Sequence, residues 1–565
     1  MKSNFGSTKT LKIPVRLLLF ACACLFAWSC GSDDKPNEKD IVKQQELFPE
    51  RLTKNLNTLV SYAVENNGKI NDTSSITSLN LVKDIYNKNN YTAIWSSEGR
   101  WNNIGDSLNH FIKGSMQYGL FPAEYHLNEL DGIHQQIKSD TLAHKDAALW
   151  SRADVLMTDA FLKIAAHLKR GRLPYDSTSR KDTAINFDSI YLASIGRAVE
   201  TKTVKSVLND LEPQLRGYVA LRDALQNYLD SIELKKYTYL EYPYTDSGKF
   251  FEQLKNRLFE ENILDSLPPS MDTADFRKAI SKYQVAKKLK KTGRINDNTV
   301  KSLNDTEWER YKRVALNLDK YKLMPDTMPT TYVWVNIPSF YLKVMDNDTL
   351  AMDSRVIVGA TQTRTPELQS DISNFITYPQ WTVPLSIVFK EIIPSYLKDT
   401  SYLTRQNLMV VDKNDSVLDP KTIKWKKLNK NYFPYLIKQK EGDNNSLGVL
   451  KFNFRNKYAV YLHDTNARWM FSKTMRALSH GCVRVQDWRD LAHFLVRNDT
   501  IKYNTDTLAR WIVRQEKHVV SGFKKVPLFI RYFTCEGSDG RMRFYDDIYG
   551  EDKILAEKYF SRYIN

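Results

Sequence analysis

The chain is predicted to be a multidomain α+β protein: a helical first half, a small helical unit, then a mainly β last part carrying an insertion. Three observations predict this. Its 565 residues exceed what one ordinary core accommodates. Apolar residues recur at three-four spacing from Ala153 to Leu168 and again from Val204 to Leu229, the period of helices with one buried face. Beyond Pro325 the pattern turns to alternation in Tyr332–Ile337, Tyr341–Val344 and Arg355–Gly359, the period of strands.

Residues 1–30 read as an export signal, with Lys2, Lys9, Lys12 and Arg16 ahead of the apolar run from Leu17 to Trp28. That run falls short of the ~20 residues a membrane-crossing helix needs, so cleavage is expected rather than spanning. The Ser29-Cys30 junction resembles a lipoprotein processing site, which implies that Cys30 becomes a lipidated first residue. Residues 31–45, polar at their start, would be the tether, and the expected location is the cell envelope, on the periplasmic side, anchored to a membrane through lipid.

From 46 to 240 a helical scaffold is expected. Residues 246–306 follow as a small unit, with a helix over Phe276–Gln284, a turn at Thr292-Gly293-Arg294 and a second helix over Asn298–Asn304. After a helix around Trp308–Leu323, a β-rich domain spans 330–565 and ends on a late strand at Val526–Phe533. A stretch rich in lysine, asparagine and tyrosine, about 390–450, interrupts the strands and is expected to be a lid or a solvated excursion.

Five cysteines fall at 22, 24, 30, 482 and 535. With the first three in or at the end of the signal, Cys482 and Cys535 remain, too few for a disulfide framework, and both are expected as free thiols. The formal charge of +16 drops to +12 once the signal is removed. A basic exported chain suits an anionic wall polymer better than nucleic acid. No phosphate-binding glycine loop, zinc pattern or other cofactor motif is present, and no nucleic-acid partner is expected.

The chemistry concentrates in Ser479-His480-Gly481-Cys482-Val483-Arg484-Val485, with His463 nineteen positions before Cys482. A thiolate is a strong nucleophile, but its population at neutral pH is small unless a neighbouring base or charge helps. His463, at the end of an apolar strand expected over Tyr458–Leu462, is the candidate base. His480, two residues from the sulfur, is better suited to orienting the loop or bonding substrate. Gly481 permits close backbone approach, amides near Cys482 are candidates for an oxyanion site, and Arg484 is a candidate for a substrate carboxylate. A zinc site from His463, His480 and Cys482 lacks a fourth ligand.

The run from His463 to Val485 resembles the signature of L,D-transpeptidases with a YkuD-type catalytic domain, in the large periplasmic branch. Further stretches agree: Thr365-Pro366, Tyr378–Ile387, Asn445–Gly448 and Tyr545–Gly550 in the β-rich part, and Tyr91–Trp95, Met116–Tyr125 and Asp154–Phe161 in the scaffold. The 246–306 unit resembles a peptidoglycan-binding module, though a spacer with the same caps reads equally well. The resemblance implies a transpeptidase acting on peptidoglycan stem peptides: Cys482 as nucleophile, His463 as proton acceptor and donor, Ser479, His480, Gly481 and Arg484 in support, and no metal. It implies attack on a tetrapeptide stem, release of D-Ala, a thioester on Cys482 and its resolution by a second stem's amine as a 3→3 cross-link. Resolution by water, giving a carboxypeptidase or amidase, and a vestigial wall-binding lipoprotein are the alternatives.

Overall fold

The computed structural model describes residues 36–175, 178–179, 185–499 and 501–560; the expected export signal and Cys30 lie outside them. Among the described residues no helix is long and apolar enough to cross a membrane. The chain forms two compact units, one of residues up to 106 with 128–159, the other of 107–127 with 160 onward.

In the first unit, helices Phe48–Glu65 and Leu79–Lys88 pack with the start of helix Ala147–Lys169. Its hub is Asp154, fully buried. The carboxylate accepts the N–H groups of Ile94 and Trp95, each at 2.9 Å, and the hydroxyl of Tyr86 at 2.7 Å. Burial still pushes it up to about 6. Trp95 donates its indole N–H to Thr158 at 2.9 Å, so the Tyr91–Trp95 and Asp154–Phe161 stretches meet as core.

In the second unit the periodic stretch from Val204 to Leu229 is two helices, Val204–Asn209 and Arg216–Leu229. Pro213 lacks an N–H and disfavours helical geometry at Glu212, so apolar spacing continues while the helix does not. The scaffold stretch Met116–Tyr125 ends on a buried charge network: Arg172 donates to Glu124 at 2.8 Å and to Asp319 at 3.4 Å, and Lys322 pairs with Asp319 at 2.7 Å.

The small module has helices Ser247–Glu260, Thr273–Ala286 and Asp297–Asn304, started by the caps Asp246, Asp272 and Asn296. Gln284 explains its sequence motif. Fully buried, it accepts the N–H groups of Thr292 and Gly293 and donates to the Thr299 hydroxyl, clamping the turn between two helices. Glutamine, glycine turn and threonine are thus accounted for by folding.

The β-rich part is built on nine strands: β1 (Thr331–Asn336), β2 (Tyr341–Asp346), β3 (Thr349–Gly359), β4 (Leu368–Thr377), β5 (Leu450–Phe454), β6 (Leu462–His463), β7 (Ala477–Ser479), β8 (Val483–Val485) and β9 (Val519–Arg531). Their order is β7-β3-β8-β6-β5-β4-β9-β1-β2, and β2 also pairs with β3. The long β3 makes this closure possible: its first half lies along β2 and its second half along β8 and β7. The ring encloses a core of Val333, Val335, Leu342, Phe375, Phe452, Leu462, Val483 and Leu528, with no exposed surface on any of them.

The insertion is a folded body rather than a solvated excursion. Strands Trp381–Thr382, Leu408–Val411, Val417–Leu418 and Leu436–Gln439 form a separate sheet beside short helices, over a core that includes Val388, Val410, Trp425 and Ile437. It starts before residue 390 because Trp381 already pairs with Gln439.

Candidate active site

The nucleophile and the candidate base are carried by neighbouring parallel strands. Leu462 of β6 pairs with Val483 of β8, and His463 with Arg484, so Cys482 enters β8 beside Tyr461. The strand expected over Tyr458–Leu462 is confined to Leu462–His463. Ala459 takes a positive φ of 55°, and Asn456 bonds the N–H groups of Tyr458 and Val460, so the approach is a tight loop. The thiol of Cys482 points at the Ala459 carbonyl at 4.0 Å.

His463 is buried, and its Nδ1 has no hydrogen-bond partner among the described residues. Burial first, then the charges of Arg484 and Lys451, hold the imidazole down to about 3, against hydrogen bonds with the backbone of Asp464 and Leu447. The ring is therefore neutral at physiological pH, with an unoccupied lone pair. Burial likewise pushes the Cys482 thiol up, opposed by hydrogen bonding with Tyr461 and by Lys451 and Arg484. Burial thus favours the uncharged form of both groups.

The turn Asn445–Gly448 fixes the base from below. Asn445 accepts the Leu447 N–H at 2.8 Å, and Asp464 accepts the Val449 N–H at 3.0 Å while forming a two-point pair with Arg468. Gly448, at φ 62°, is required here: a Cβ would come within 2.3 Å of the Asp464 carboxylate.

The cysteine loop is held as firmly. Ser479 donates its hydroxyl to the Cys482 carbonyl at 2.6 Å and accepts the Gly481 N–H at 3.1 Å. Ser479 is thus a loop staple, and the Gly481 amide is already engaged rather than free for an oxyanion. Gly481 adopts φ 111°, and its carbonyl accepts the Thr365 hydroxyl at 2.8 Å. That hydroxyl also accepts the Gly359 N–H at 2.8 Å, while Tyr549 donates to the Gly359 carbonyl at 2.6 Å. The Thr365-Pro366 and Tyr545–Gly550 stretches therefore converge on the loop.

His480 faces outward, half-exposed, with Nε2 2.6 Å from Glu391 of the insertion. Arg484 lies partly buried beside the cysteine. One guanidinium nitrogen reaches Met470 Sδ at 3.5 Å, and its Nε has no partner. No carboxylate pairs with it among the described residues, and its charge acts on the Cys482 sulfur.

Three contributors were not expected as site residues. Tyr461 hydrogen-bonds with Cys482 and receives the indole N–H of Trp381 at 3.0 Å. Lys451, across from His463 on β5, lies 4.1 Å over the Tyr461 ring. Glu391 meets His480. A lysine in the alternating strand Leu450–Phe454 was the one available signal for Lys451; Glu391 had none. Cys535 is buried in a strand, far from ionising, and both described cysteines are free.

Residues 330–502 match the family model of the L,D-transpeptidase catalytic domain, and residues 80–225 that of the scaffold domain. A Haemophilus influenzae protein provisionally named an L,D-transpeptidase is 34% identical over 245 residues, 43% of this chain and 49% of that protein, so the match spans about half of the relative's length. Two solved structures are similar: the Ldtfm-avibactam carbamoyl enzyme, at 10% identity and TM-score 0.18 over 38% of this chain and 61% of that one, and an L,D-transpeptidase from Stackebrandtia nassauensis, at 12% and 0.16 over 53% and 97%. At those scores they do not inform residue placement. Domain matches, sequence relative and motif agree that the chain carries a YkuD-family L,D-transpeptidase catalytic domain behind a scaffold domain.

Proposed function

We propose that the protein is a peptidoglycan L,D-transpeptidase that forms 3→3 cross-links through a thioester on Cys482. The observation that carries this reading is the unpartnered, buried Nδ1 of His463 on the strand next to the cysteine. A neutral imidazole in that position accepts the thiol proton as sulfur attacks the amide between the diamino acid and D-Ala of a tetrapeptide stem. The C–N bond then breaks, and the proton passes to the leaving D-Ala amine. Lys451 and Arg484 stabilise the sulfur's negative charge during attack and attract the carboxylates of the stem.

In this reading the amine of a second stem attacks the thioester, the C–S bond breaks, and Cys482 recovers its proton. The insertion acts as the lid that limits water, favouring aminolysis over hydrolysis. We place the enzyme in the envelope, on the periplasmic side, anchored through Cys30. Incubation of the purified protein with tetrapeptide fragments tests the reading: cross-linked dimer with free D-Ala is expected. Trimmed tripeptide without dimer would assign the site to a hydrolase instead.

A further inference from the structure

The charges that act directly on the nucleophile among the described residues are those of two cations, Lys451 and Arg484. Neither has a carboxylate ion-pair partner among the described residues. Asp464, the nearest acid in sequence to the base, is engaged by Arg468 at 2.6 Å. Glu391 is the carboxylate that touches the catalytic motif, 2.6 Å from His480 Nε2, and both side chains keep nearly half their surface open to solvent at 46% each.

The backbone aims Glu391 deliberately. It lies on the π-helical turn Val388–Ile392, between the buried Val388 and Ile392. Pro394 lacks the N–H that would continue the regular ladder, and the widened turn turns Glu391 away from the insertion's core toward the cysteine loop.

A transpeptidase must bind two substrates of opposite character at this centre. The donor brings carboxylates, which suit Lys451 and Arg484. The acceptor brings an amine that is an ammonium at neutral pH, which those same cations repel. We propose that Glu391, with His480, is the acceptor subsite: the carboxylate draws in the ammonium, and His480 takes the proton it must lose before attacking. The inference rests on the transpeptidase reading above. In the step, the ammonium gives one proton to His480, whose imidazolium is paired with Glu391. The freed lone pair forms the C–N bond, and the second proton passes through His463 to sulfur as the C–S bond breaks. His480 then returns its proton to solvent, so the step yields amide, thiol and one released proton.

The test compares two nucleophiles on the same acyl-enzyme made from a tetrapeptide donor. One is a second tetrapeptide, charged at its amine; the other is hydroxylamine, uncharged at neutral pH. In Glu391→Gln the ratio of dimer to hydroxamate should fall roughly 10- to 100-fold, the loss expected for a charge-assisted hydrogen bond. The acceptor KM should rise, and Glu391→Asp should recover part of the ratio. A purely structural contact would slow both nucleophiles together, and an unchanged ratio in Glu391→Gln overturns the proposal. Failure of the wild-type protein to form dimer would instead sink the transpeptidase reading, and this inference with it.

Discussion

The ring-shaped sheet and the inserted body meet at the catalytic loop but are built to different standards. In the ring, β6 and β8 are anchored by their own fully buried, mutually paired Leu462 and Val483, and the cysteine loop is held by hydrogen bonds from Ser479 and Thr365. The insertion has its own smaller core and leaves Leu385, Leu397, Val417 and Tyr432 exposed. Its links to the site include a hydrogen bond from Trp381 to Tyr461, the half-exposed Glu391–His480 pair, and hydrogen bonds from Asn445 and Ser446 of the turn under the base to Gln439 and Lys440. An exposed pair of that kind contributes only about 0–1 kcal/mol, so the Glu391–His480 contact with the loop can open at little cost. In the proposed mechanism the covalent chemistry lies on the ring and the acceptor contact on the inserted body.

Substitutions that act on each body should separate these roles. The largest effect is expected from Cys482→Ala, which removes the nucleophile: no covalent adduct should form with a tetrapeptide donor, while circular dichroism stays that of the folded protein. His463→Asn comes next, with acylation slowed roughly 10²- to 10⁴-fold in rapid-quench measurements. Gly448→Ala should act through stability, by about 3 kcal/mol or more in urea unfolding, because a Cβ meets Asp464 at 2.3 Å at a backbone angle that disfavours side chains. On the insertion, Trp381→Phe should lower stability by no more than about 1.5 kcal/mol while shifting products from dimer toward hydrolysed monomer. A stability loss as large as that of Gly448→Ala would show the insertion to be as integral to the fold as the ring.

The buried base adds a pH signature to the ring. An unfolded histidine titrates near ~6.5, and His463 is held down to about 3. Between those values the unfolded chain carries the extra proton. The stability present above the upper value is therefore lost as pH falls toward the lower. His463→Asn should flatten that decline, by a slope difference approaching ~1.4 kcal/mol per pH unit in urea titrations between pH 4 and 6.

Legibility in the sequence followed how local each signal is. Periodicity located four strands of the ring, Thr331–Asn336, Tyr341–Asp346, Thr349–Gly359 and Val519–Arg531, and the helices Thr273–Ala286 and Glu307–Tyr321, since each reports burial along one element. It missed the break at Pro213 and overextended the strand before His463, where Asn456 and Ala459 replace sheet pairing with a turn. The motif locates Cys482 and His463, while the stretches at Thr365, Asn445 and Tyr549 rest on resemblance alone, with no physical reason visible along the chain. Their reason is tertiary: Thr365 donates to the Gly481 carbonyl of the loop, Tyr549 donates to the Gly359 carbonyl beside Thr365, and Asn445 holds the turn whose Leu447 backbone bonds His463. Lys451, Tyr461 and Glu391 become site residues only through pairing across strands or between bodies, which no spacing along the chain encodes.

The central claim is that sulfur at 482 carries the substrate while His463 moves its proton. Intact-protein mass spectrometry during turnover of a tetrapeptide donor, followed by peptide mapping, tests this most directly. A mass increase equal to the tripeptide acyl group, located on the peptide containing Cys482, absent in Cys482→Ala and slow to appear in His463→Asn, is the expected result. Turnover of the tetrapeptide by Cys482→Ala, or an acyl group mapped to any other residue, would contradict it.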